Sequence, residues 1–354
     1  SPPPRQVTDL DLSGTGLVLQ TAQTLAKAIS HNTTITALDL SRNPLSDVTK
    51  YSETELEWAG SGFHKFAASV RGSPSLQVLA FSGEVKLPLL QIKGAISAAE
   101  LGLPNRGPGS TNPKVLDLSQ QGLDPLSGIL IGALVAEHSS LTELTLHNNN
   151  NLGADGARAI VDNVHVSMLR TLDLNAVIAP LAAGHPKTKR QLHQLEKLGT
   201  ALGKLAALEK LTLDKNCLVE FSAAGRLYEL RTLSLNNNRI EALPEDICFL
   251  KVLKRLAVRG NKLLELPAAI GQLECLESLD IKGNRLTFLP SSLGQLCFLK
   301  SLDISENLIS QLDAGICDCS RLDRFEVKQN PLSRPPLSLA KQGIGPIRRY
   351  FQEL

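Results

Sequence analysis

LESLDIKGNRL, residues 276–286, returns 23 residues later as LKSLDISENLI (299–309) and again as LDRFEVKQNPL (322–332). The shared pattern, LxxLxLxxNxL, continues upstream through LKRLAVRGNKL (253–263), LRTLSLNNNRI (230–240) and LEKLTLDKNCL (208–218), so that successive starts are 22, 23, 23, 23 and 23 residues apart. Self-similarity at a fixed period is the signature of a stacked-repeat architecture. Each LxL is expected to be a short strand whose alternate residues point into the stack and out onto an open face. The ninth-position asparagines, Asn216, Asn238, Asn261, Asn284, Asn307 and Asn330, are expected to turn the chain inward. Buried there, each amide would satisfy backbone groups that the turn frees.

The first half repeats more loosely: VTDLDLSGTGL from Val7, ITALDLSRNPL from Ile35, LQVLAFSGEVK from Leu76, PKVLDLSQQGL from Pro113, LTELTLHNNNN from Leu141 and LRTLDLNAVIA from Leu169. The basic spacing here is 28, and the five extra residues allow a helical return; Ala157, Ile160, Val161 and Val164 have the spacing of one helical face. In the units from Leu76 and Leu169 the asparagine position is occupied by Glu84 and Val177. This half, with LGADGARAIVDNV from Leu152, resembles ribonuclease-inhibitor-type leucine-rich repeats. The later half, with LPEDICFL at 243, LPAAIGQL at 266 and LPSSLGQL at 289, resembles the 23-residue repeats of intracellular Ras-group scaffolds. The resemblance implies an α/β leucine-rich-repeat solenoid, a horseshoe with a parallel concave sheet and helices on the convex side of its first half. The expected organisation is 1–207 in repeats of about 28 residues with insertions, 208–332 in repeats of about 23, and 333–354 as a C-terminal capping helix. Three long intervals mark surface insertions, the first holding Tyr51 and the sole tryptophan, Trp58.

Aromatic residues are 4% of the chain against 42% hydrophobic, so the core must be built from aliphatic side chains. The net charge of +2, from 37 basic and 35 acidic residues, gives no bulk field for phosphate binding, and nucleic acid is not an expected partner. The longest apolar run, Leu126 to Ala136, is too short to span a bilayer, so no membrane partner is expected. The chain opens Ser1-Pro2-Pro3-Pro4 without an initiator Met and reads as a segment of a larger protein. Six cysteines, at 217, 248, 275, 297, 317 and 319, lack flanking clusters; reduced thiols in a cytoplasmic protein fit that arrangement.

At the C-terminal end, Ile347, Tyr350, Phe351 and Leu354 fall on one helical face suited to covering the exposed end of the stack. NPLSRPP from Asn330, followed by IRRYF from Ile347, is similar to the junction between repeats and Ras-like GTPase in ROCO proteins. That resemblance implies a regulatory arm beside a GTPase domain in the same parent chain.

Catalytic signatures are missing. GTALGKL from Gly199 has the wrong spacing for a phosphate loop, no HExxH occurs, and Cys317 and Cys319 have no second pair at zinc-site spacing, so neither enzyme activity nor a cofactor or metal is expected. Asp280 and Asp303 recur at one repeat position, as a polar ladder would. Candidate partner-binding residues are the concave cations Lys210, Lys215, Arg231, Lys254, Arg255, Arg259, Lys282, Lys300, Arg324 and Lys328, with Trp58 as a second site. A cationic row attracts an acidic protein; it is equally what a solvated face would carry to keep a sheet from aggregating. Two other functions share the architecture: a GTPase-activating protein and an enzyme-wrapping inhibitor.

Overall fold

In the computed structural model the described residues are 7–43, 65–82, 85–89, 114–136, 140–178, 189–222 and 226–353. The chain divides into two compact units, Ser1–Leu169 with Val177–Ala179, and Arg170–Ala176 with Pro180–Leu354.

The first unit contains strands β1 (Asp9–Asp11), β2 (Ala37–Asp39), β3 (Val78–Ser82), β4 (Val85–Pro88), β5 (Val115–Asp117) and β6 (Glu143–Thr145). Helices α1 (Leu19–Ile29), α2 (Pro125–Val135) and α3 (Gly153–Val161) alternate with them, and residues 65–72 are also helical. β1, β2 and β3 pair in parallel, as do β5 and β6. β4 departs from the expected parallel pattern: it folds back antiparallel on β3, burying Leu87 and Leu89. The hairpin gives the backbone groups on that edge of β3 antiparallel partners. Glu84 itself lies outside the described residues.

Asp124 starts α2 by accepting a hydrogen bond from the Ser127 amide at 2.8 Å, with Pro125 in the first turn. α2 is buried along most of its length because α3 approaches it closely. A Cβ on Gly128 would lie 2.5 Å from the Gly156 Cα. On α3, Ala157, Ile160 and Val161 face inward as their spacing predicts, with Val164 buried just beyond.

The second unit is a ladder of seven parallel strands: β7 (Thr171–Asp173), β8 (Lys210–Thr212), β9 (Thr232–Ser234), β10 (Arg255–Ala257), β11 (Ser278–Asp280), β12 (Ser301–Asp303) and β13 (Arg324–Glu326). Strand centres Leu211, Leu233, Leu256, Leu279, Leu302 and Phe325 form one buried row, and the residues flanking them face the open side. Helix α4 (Lys189–Leu202) precedes β8, whereas later returns are compact 3-10 turns at Glu245–Phe249, Ile270–Gln272, Ser291–Gln295 and Ala314–Asp318. The 23-residue period leaves no room for a longer helix. After β13 come α5 (Leu337–Ala340) and α6 (Ile344–Gln352). α6 packs against the Ala314–Asp318 turn with Ile344 and Ile347 buried, and its Arg348 donates a hydrogen bond to the Cys319 carbonyl at 2.7 Å.

The buried asparagines bind adjacent layers together. Asn261 Nδ2 donates to the carbonyls of Leu235, in the preceding repeat, and Val258, in its own, both at 2.9 Å; its Oδ1 accepts from the Ile240 amide at 3.0 Å. Asn284 repeats this with Val258, Ile281 and Leu263, and Asn307 with Ile281, Ile304 and Leu286. In the first unit Asn149 serves Leu118, Leu146 and Leu123. The expected local role is therefore extended: each amide also joins one repeat to the next.

Candidate interaction surface

The open face of the second unit is set by the second, third, fifth and seventh positions of the eleven-residue pattern. Turning after each strand leaves the seventh-position amide needing an acceptor, and the chain supplies one in two ways. Where the fifth position is aspartate, the carboxylate accepts from the amide two residues on: Asp173 from Asn175 (3.0 Å), Asp280 from Lys282 (3.1 Å) and Asp303 from Ser305 (2.9 Å). Between these repeats the acceptor is the preceding repeat's seventh side chain: Asn175 for the Asp214 amide (2.6 Å), Asp214 for Asn236 (2.7 Å) and Asn236 for Arg259 (2.8 Å). Because Asn236 serves the Arg259 amide, the β10 repeat needs no aspartate and carries Ala257. Asp280 and Asp303 thus have a backbone role. Burial, followed by the charge of Asp303, holds the Asp280 carboxyl above its usual range despite the Lys282 bond and the Arg259 and Lys282 charges.

All ten predicted cations lie in this unit, yet their settings differ. In the second-position row Glu209 lies 3.8 Å from Arg170 and 3.6 Å from Arg231. Glu277 likewise bridges Lys254 at 3.8 Å and Lys300 at 2.7 Å, and the Lys300 hydrogen bond and charge hold the Glu277 carboxyl below its usual range. Lys282 pairs with Glu306 (3.0 Å) and Lys328 with Glu326 (3.1 Å). Among the described residues Lys210, Lys215, Arg255, Arg259 and Arg324 make no ion pair and are exposed. The cationic row is therefore partly self-neutralised. Arg255 and Arg259 stand on either side of Ala257, while acids occupy the fifth position from β11 onward as Asp280, Asp303 and Glu326.

Trp58 and Tyr51 lie outside the described residues. All six cysteines are free thiols. Burial pushes Cys248 and Cys319 up to about 11. Among the described residues no group of three or more His, Cys, Asp or Glu is placed to hold a metal ion, and no helix is long and apolar enough to cross a membrane. Sequence reasoning missed the glutamate bridges because their partners sit on different repeats, although second-position Glu209 and Glu277 were visible.

Residues 207–288 match a family model described as leucine-rich repeat region, and 31–48 and 137–161 match one described as Leucine Rich repeat. No curated protein matches the chain. Among solved structures, an internalin from Listeria monocytogenes is 18% identical over 92% of this chain and 68% of its own, with a TM-score of 0.46. A leucine-rich-repeat protein of Leptospira interrogans is 22% identical, covering 92% of this chain and 85% of its own at a TM-score of 0.43. The ectodomain of the receptor kinase SOBIR1 from Arabidopsis thaliana is 29% identical over 35% of this chain and 70% of its own, with a TM-score of 0.33. The family matches fall on stretches of both units, and together with the parallel strand ladder and its asparagines they identify the fold as a leucine-rich-repeat solenoid.

Proposed function

We propose that the chain is a protein-interaction and regulatory domain of an intracellular signalling protein, and that the open face of its second unit receives an acidic surface of a partner. Leucine-rich repeats imply protein binding in general; the acidic partner rests on one observation. Arg255, which opens β10, and Arg259, two residues past its end, flank the small Ala257 without an ion pair. Both side chains can converge on one carboxylate-bearing segment, and an arginine fork suits bidentate contact. The ion-paired cations around them have already lost much of their attraction to a newcomer.

Reversing both charges, Arg255→Glu with Arg259→Glu, should weaken capture of a binding protein at least tenfold and leave the melting temperature within about 2 °C, because exposed substitutions cost little stability. Capture that survives the double reversal refutes this placement. If binding instead depends on Trp58, the first insertion is the site.

The regulatory part of the proposal draws on the ROCO-like NPLSRPP and IRRYF strings: a Ras-like GTPase domain follows in the parent chain, and a partner that prefers one arrangement of the repeats shifts its equilibrium. A parent gene without a GxxxxGK[ST] loop downstream removes the GTPase reading and leaves the interaction reading intact. Free thiols are consistent with the cytoplasmic setting.

A further inference from the structure

Strand register sets two rows of side chains next to each other on the open face. Arg255, Ser278, Ser301 and Arg324 follow one another across β10–β13 at the third repeat position, and Ala257, Asp280, Asp303 and Glu326 do so at the fifth. Each of these strands buries only its middle residue, so both rows face the same side. Two exposed arginines therefore close the ends of a row whose middle holds only serines, and two aspartates stand beside those serines.

The middle of this region is short of partners. Asp280 spends one oxygen on the Lys282 amide at 3.1 Å and Asp303 one on the Ser305 amide at 2.9 Å. Among the described residues the second oxygen of each carboxylate accepts no hydrogen bond, and neither carboxylate makes an ion pair. Arg259 and Lys282 attract Asp280 through space without reaching ion-pairing distance, and Lys282 and Lys300 are engaged by Glu306 and Glu277. The hydroxyls of Ser278, Ser301 and Ser305 also lack a hydrogen-bond partner among the described residues, although Ser305, at the seventh position of the same face, is only 4% exposed. Unmatched carboxylates on neighbouring strands and unpaired hydroxyls around them suit a cationic donor of several hydrogen bonds, which an ammonium group is.

Resting on the reading that Arg255 meets an acidic partner, we propose that the partner's segment is extended and carries a lysine between two acidic residues, in the order acid, any, lysine, any, acid. The acids meet Arg255 and Arg324, and the lysine ammonium enters between Asp280 and Asp303 against the serine hydroxyls. Three strand spacings separate Arg255 from Arg324, roughly 14 Å, and an extended chain covers that span in about four residues with its first, third and fifth side chains on one side. The lysine also gives discrimination: a wholly acidic segment leaves the two aspartates facing like charge.

Four fluorescein-labelled peptides of about twelve residues, alike except for a five-residue core, test this on the whole chain by fluorescence anisotropy at low salt. The cores are Asp-Ser-Lys-Ser-Asp, Asp-Ser-Ser-Ser-Asp, the first composition reordered as Asp-Asp-Ser-Ser-Lys, and the reversed Lys-Ser-Asp-Ser-Lys. The first is expected to bind about fivefold tighter than each of the others, the worth of one favourable exposed ion pair. Asp280→Asn with Asp303→Asn keeps an oxygen for each backbone amide and should remove the advantage of the first peptide over the second. Arg324→Gln should weaken those two peptides alike, and a cooperative melt no lower than that of the parent chain verifies the fold of each variant. Equal binding of the second peptide, or an advantage that persists in the asparagine double variant, removes the lysine site while the acidic-partner reading stands. Equal binding of the reordered peptide overturns the spacing, and equal or tighter binding of the reversed one overturns the polarity. Failure of the first two peptides to bind overturns both proposals.

Discussion

Asn261 makes three of the bonds that close its layer, and an alanine there leaves the Leu235 and Val258 carbonyls and the Ile240 amide without the side chain that serves them. Buried groups left unpaired cost about 1–3 kcal/mol each, partly relieved by relaxation, so Asn261→Ala should destabilise the chain by roughly 2–4 kcal/mol in urea unfolding. A loss near zero would show that water enters the turn freely. Asp280 has the opposite sign. Its folded pKa lies above the 3.8 of the free group, so its carboxylate form is disfavoured by folding and stability falls as pH rises from 3.8 through the folded value. Asp280→Asn keeps an oxygen for the Lys282 amide and removes the charge. It should therefore raise the melting temperature at pH 7 and bring no such gain below pH 3.8; a gain at both pH values would assign the effect to something other than ionisation.

Among the elements, α2 and α3 show how close packing depends on a missing side chain. Gly128→Val pushes a branched side chain into the Gly156 backbone and should cost roughly 1–3 kcal/mol, whereas a valine at the half-exposed Ile129 on the same helix should be nearly neutral. Equal melting temperatures for the two variants would contradict the close approach. Strands β8–β13 were legible because the LxL alternation and the 23-residue period act locally, and the α3 face was legible from Ala157, Ile160 and Val161 for the same reason. The β3–β4 hairpin was not: the repeats from Val7, Pro113 and Leu169 also lack the asparagine and stay parallel, so its absence after β3 does not announce a reversal. The candidate surface was only half legible. Periodicity placed Arg255 and Arg259 on the open face, but whether a cation is free or held depends on side chains a full repeat away, as Glu277 holds Lys254 and Lys300.

Across the whole molecule, stability should follow neighbour-to-neighbour contacts, as expected for a stack in which each repeat touches mainly the next. Ile347→Asp puts a charge where α6 is fully buried and should loosen the end of the second unit first. Hydrogen exchange is expected to quicken in β12 and β13 while β1–β3 keep their protection; uniform acceleration would mean that the chain unfolds as one block. Thiol chemistry gives an independent measure of burial. At pH 8 an alkylating reagent should modify exposed Cys297 promptly, and Cys248 and Cys319, whose thiols sit at about 11, only after unfolding. Early loss of either buried thiol would place it nearer solvent than the fold does.

The asparagine ladder carries an implication for how such a chain can change. The Nδ2 and Oδ1 contacts of Asn261, Asn284 and Asn307 described above all go to main-chain atoms, so the clamp is indifferent to which side chains its neighbours bear. A 23-residue cassette can be copied, deleted or shuffled and still find the same acceptors on either side, and the face residues within it can drift without disturbing the pitch. Scaffold and recognition are thereby written in different atoms: the first in amides and carbonyls of the main chain, the second in exposed side chains such as Arg255 and Arg259, which selection is free to replace.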